Sequence, residues 1–138
     1  MNWSEKSLTV TSSVLFVIPT LYAFSVQQFW YGALALCIAA LSASYHSVKD
    51  DGPHWWWDAT KPHLQRYLLI LDTVAALLLV AYALVLFQTG GFHAPFVIAV
   101  LLFFPLLVQF LIPIKRFYKF QHALWHAGTA CIALLPLL

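Results

Sequence analysis

Within stretches built almost entirely of Leu, Val, Ala, Ile and Phe, five side chains stand out as able to do chemistry: Ser42, His46, Asp72, His122 and His126. Ser42 and His46 are spaced i, i+4, as are His122 and His126, and on a helix residues at that spacing share a face. Three neutral imidazoles are a sufficient ligand set for a catalytic zinc, with the fourth tetrahedral position open to water. Coordination lowers the pKa of that water to about 7, which makes hydroxide available at neutral pH. Asp72 would then serve as general base toward the water or orient a ligand histidine. Ser42 could donate to the oxygen that becomes negative as hydroxide attacks a carbonyl. The chemistry implied is hydrolysis of an amide or ester.

Elements that hold these residues must be helices in a membrane. The chain has 138 residues, of which 62% are hydrophobic and 9% charged, against about 25% charged in ordinary soluble domains. Mean hydropathy is +0.82. Only helices or closed barrels satisfy backbone polar groups in hydrocarbon, and long unbroken apolar runs lack the alternation a barrel requires. A formal charge of +2 gives no reason to expect a nucleic-acid partner. Cys37 and Cys131 lie in apolar segments without metal-type spacing and read as packing residues.

Apolar runs predict five spans in one domain, at about 8–26, 30–48, 67–88, 92–113 and 119–138, each close to the roughly 20 residues a bilayer crossing needs. The first reads as a retained span rather than a cleaved signal peptide, because Glu5 accompanies Lys6 and Ala23 and Ser25 imitate a cleavage site only weakly. Pro19 is expected to kink it. Small residues crowd the second span, among them Gly32, Ala35, Ala39 and Ser42, and predict close helix contact inside the bundle. Between the second and third spans, Lys49 to Arg66 reads as a polar loop with an interfacial anchor at Trp55, Trp56 and Trp57. His54, Asp58 and His63 in that region read as solvated, and His93 as interfacial. Thr89, Gly90 and Gly91 read as a tight turn.

With five spans every Lys and Arg falls on one side: Lys6, Lys49, Lys61, Arg66, Lys115, Arg116 and Lys119. The positive-inside rule then puts the amino end in the cytoplasm. Counting about 1.5 Å per residue from that side, His46 lies about 3 Å deep, His122 about 5 Å, Asp72 about 8 Å, Ser42 about 9 Å and His126 about 10 Å. The expectation is a shallow polar layer near the cytoplasmic face of a cell membrane. Taken singly, an intramembrane histidine is commonly hydrogen-bonded across helices, and a serine to its own backbone. Taken together, these residues point to a metal. Haem is the next choice, since His46 could pair with one residue of the other helix, although His122 and His126 share a face and cannot be opposite axial ligands.

Ser42 and His46, then Asp72 in the following span, then His122 and His126 in the last, resemble in kind and order the motifs of the CREST superfamily of membrane hydrolases, which includes alkaline ceramidases and the adiponectin and progestin receptor-like proteins. The resemblance implies zinc on His46, His122 and His126, with Asp72 near the metal-bound water and Ser42 beside it. It also implies a lipid substrate, ceramide-like amides above all. The family's helical core is larger than this chain has room for, so the substrate pocket would be completed by lipid or by a second copy in a homodimer. A receptor or scaffold subunit with structural zinc is the alternative from another class.

Overall fold

A computed structural model describes residues 5–49, 60–90, 94–112 and 117–138. The Trp55 to Trp57 anchor, His54, Asp58, Gly91, His93, Lys115 and Arg116 lie outside these residues, as does the Lys6 side chain. The fold is an all-α bundle. The first apolar run is α1 (Glu5–Ser13), a 3₁₀ turn (Val14–Phe16) and α2 (Val17–Ser25). Proline lacks an N–H and its ring crowds the carbonyl four residues back. For Pro19 that carbonyl belongs to Leu15, the middle of the 3₁₀ turn. The expected distortion is therefore a local tightening just upstream of the proline.

The run ends with Gln27 in the left-handed region at φ 63°. Gln28 N–H donates to the Ala23 carbonyl at 2.8 Å and Gln27 N–H to the Phe24 carbonyl at 3.1 Å. This double closure of a helix end is the Schellman arrangement, and it turns the chain directly into α3 (Phe29–Val48). Here α2 and α3 pack closely: a Cβ added to Gly32 would sit 2.6 Å from the Phe24 ring.

Small residues do bring α3 into the middle of the bundle, against α1, α2 and α4 (His63–Gly90). Gly32, Ala35, Ala39 and Ser42 are buried, whereas Ala33, Ala40 and Ser44 face outward. The core continues through Ala75 and Leu79 of α4 and through Ala130 and Ala133 of α6 (Tyr118–Leu134). Tyr31, fully buried, donates its hydroxyl to the Ala133 carbonyl at 2.8 Å. That carbonyl is among the last of α6, where no intrahelical donor remains. α5 (Ala94–Leu111) packs on α6 and contains Pro105.

Two boundaries differ from the sequence reading. α4 starts at His63 rather than after Arg66, because Pro62 suits a helix start and buried Gln65 reaches back to the Val48 carbonyl at 2.9 Å. α4 also runs through Thr89 and Gly90, where a turn was expected, and the Thr89 hydroxyl bonds back to the Val85 carbonyl at 3.1 Å. Cys37 and Cys131 are free and exposed, so they occupy outward faces rather than packed positions. Among the described residues, three segments are long and apolar enough to cross a membrane: Ser7–Ser25, Phe29–Val48 and His63–Gly90. The apolar run Ala94–Pro105 is shorter, and α6 has 17 residues before a closing 3₁₀ turn.

A non-glycine residue in the left-handed region costs energy that glycine does not. Gln27→Gly is therefore expected to stabilise the protein by about 0.5–1 kcal/mol, offset in part by the freer unfolded chain. Chemical denaturation in detergent micelles measures it, and a destabilised variant would contradict the assignment of this turn.

Candidate metal centre

Two helices deliver the three histidines. His46 lies in the last turn of α3 and is 1% exposed; His126 lies in the third turn of α6 and is 4% exposed; His122 is one turn earlier on the same face. Ring centroids are 4.6 Å apart for His46 and His122, 5.0 Å for His46 and His126, and 5.1 Å for His122 and His126. One donor atom from each residue lies within 4.8 Å of the others. With Zn–N bonds of about 2.0–2.1 Å, tetrahedral geometry needs nitrogens about 3.4 Å apart. The present spacing exceeds that by at most about an ångström and a half, within reach of small ring rotations. The residues thus fit a metal in kind, number and approach.

Hydrogen bonds select the coordinating nitrogen. Nδ1 of His122 lies 2.9 Å from the Tyr118 hydroxyl, and Nδ1 of His126 lies 3.0 Å from Ser13 Oγ. Each contact leaves Nε2 for a metal, the arrangement in which a partner of the second nitrogen fixes ring and tautomer. Buried Lys49 lies at the same end, its ammonium 5.1 Å from the centroid of the Tyr118 ring.

Ser42 and Asp72 meet beside the cluster. Ser42 is buried, lies 3.3 Å from Ser13 Oγ, and is a side-chain hydrogen-bond partner of Asp72. Asp72 lines the same cavity as the three histidines but is not one of the grouped ligands. The cavity holds about 350 Å³ and continues away from the histidines along Leu79, Ala83, Phe103 and Ile132 to Tyr31. α4 on one side leans chiefly on α3, and α5 on the other leans on α6. Phe87 and Phe96 join α4 to α5 at the far end, with ring centroids 5.4 Å apart.

No protein-family model, curated protein or solved structure matches this chain.

All five residues singled out in the sequence thus surround one space. Ser13 and Tyr118 were missed. Tyr118 carried a signal, since it stands four residues before His122, as His122 stands before His126. For Ser13 the signal was the pair with Thr9, i, i+4 in an apolar run.

Purified protein loaded with zinc and freed of excess is expected to hold one ion per chain by elemental analysis. His46→Ala, His122→Ala and His126→Ala should each lower its affinity by more than tenfold, since each removes a ligand outright. Zinc-free parent protein, or three variants that bind like it, would reject the centre.

Proposed function

We propose that this chain is a membrane zinc hydrolase acting on an amide or ester of a lipid, with His46, His122 and His126 as ligands. The observation that carries the proposal is the juxtaposition of three clustered imidazoles with Asp72 at the head of an apolar cavity. Bound zinc would supply a Lewis acid and a water of lowered pKa. Asp72 would take a proton from the attacking water and return it to the departing nitrogen or oxygen. As the C–N or C–O bond breaks, the products are a carboxylic acid and an amine or alcohol. Ser42 holds the Asp72 carboxyl from one side and, on substrate binding, can offer its proton to the carbonyl oxygen instead.

A cavity of about 350 Å³ suits one acyl chain better than two, since ligand pockets of this size lie near the small end of the usual range. Its apolar walls match such a chain, and its lining by both the α3–α4 and α5–α6 pairs supports sideways entry from the bilayer. The order of the motifs, as in the CREST superfamily, agrees with this reading. So does the positive charge at the histidine end, which favours a cytoplasmic location for the site in a cell membrane.

A zinc-stabilised scaffold without turnover is the other reading. Structural zinc sites are closed by four protein ligands, whereas three are grouped here among the described residues. Haem fits less well, because the His46 and His122 rings meet edge to face at 4.6 Å, too close for a porphyrin between them.

The test is turnover of N-acyl amides and acyl esters in mixed micelles by zinc-loaded protein. Asp72→Asn is expected to lower kcat at least 100-fold with zinc retained, and Ser42→Ala roughly tenfold, about the worth of one hydrogen bond. Zinc-loaded parent with no turnover on either series would favour the scaffold.

A further inference from the structure

Ser13 lies on α1, outside every motif that defines the metal centre, yet it is fully buried against His126. Its hydroxyl has one proton and two acceptors pointing away from the imidazole: the Thr9 carbonyl at 2.9 Å and Ser42 Oγ at 3.3 Å. A carbonyl can only accept, so the serine proton is drawn toward it. What Ser13 then presents to His126 is a lone pair, at 3.0 Å from Nδ1. Nδ1 must carry the hydrogen, and Nε2 is the basic nitrogen.

We infer that Ser13 is a positioning residue of the metal centre. It fixes the His126 ring with Nδ1–H on its own oxygen and Nε2 toward His46 and His122. Ser42, the side-chain hydrogen-bond partner of Asp72, lies 3.3 Å from the same hydroxyl. The first helix thus supplies the oxygen that orients a ligand on α6, next to the serine of α3 that holds the acid on α4. The inference rests on the zinc reading above, and the two can fail separately.

The experiment measures zinc affinity by chelator competition on full-length protein in micelles, with cobalt absorption reporting ligand geometry. Ser13→Ala is expected to weaken zinc roughly 10- to 100-fold and to alter the cobalt spectrum. Ser12→Ala is the control, because its hydroxyl bonds only the Thr9 carbonyl of its own helix, at 2.9 Å; it should bind zinc like the parent. Ser13→Thr keeps the hydroxyl and should restore most of the affinity. Equal zinc binding and an unchanged cobalt spectrum in Ser13→Ala would overturn the inference while leaving the zinc reading intact, whereas a parent that binds no zinc defeats that reading first. Should Ser13→Ala not fold, ¹⁵N-histidine NMR of the zinc-loaded parent decides without a variant. Metal on Nε2 of His126 and hydrogen on Nδ1 are expected, and metal on Nδ1 would overturn the assignment.

Discussion

A polar side chain inside hydrocarbon has no water to turn to, so its partner must come from its own backbone or from another helix. The distribution of hydroxyls in this bundle follows from that constraint. Thr11, Thr20, Thr73 and Thr129 fold back onto carbonyls of their own helices and carry no information about the tertiary arrangement. Ser13, Ser42 and Tyr31 reach across to other helices, and those contacts fix how α1, α3, α4 and α6 are set against one another. Apolar packing alone would allow helices to slide and rotate at small cost. The cross-helix polar contacts allow one rotation.

That division explains what could be read from the chain. Apolar runs bounded by Gln27, Gln28, Pro62 and Gly90 report helices directly, because a bilayer leaves few alternatives for such segments. Helix ends in polar surroundings were harder to place. The turn from His63 to Arg66 reads as loop by composition, but its helix is held by Gln65 and the Val48 carbonyl, a contact between positions far apart in sequence. The histidine cluster was legible because three histidines and one aspartate are rare in apolar segments, and counting depth from the charged side brings them level. Ser13 was not, because serine and threonine are common in such helices and most bond locally.

The cavity shows the same logic in reverse. Its polar end is built from three imidazoles and a carboxyl, and its remainder is mostly apolar, with the hydroxyls of Thr73 and Thr129 turned onto their own helices. A single space therefore has two solvents: a polar patch around His46, His122, His126 and Asp72, and a hydrocarbon-like length reaching to Tyr31. An amphiphile would find its own orientation there from transfer energies alone.

The 3₁₀ turn at Val14–Phe16 sets an angular phase. Each of its residues advances about 120° rather than the 100° of an α-helix, so the turn rotates α1 by roughly 60° relative to α2. It also brings Phe16, a cavity-lining side chain, nearly into line with Ser13. An uninterrupted helix anchored through Thr20 and Ala23 would point Ser13 away from His126 by that angle. By shaping this turn, Pro19 sets the rotation at which Ser13 meets His126.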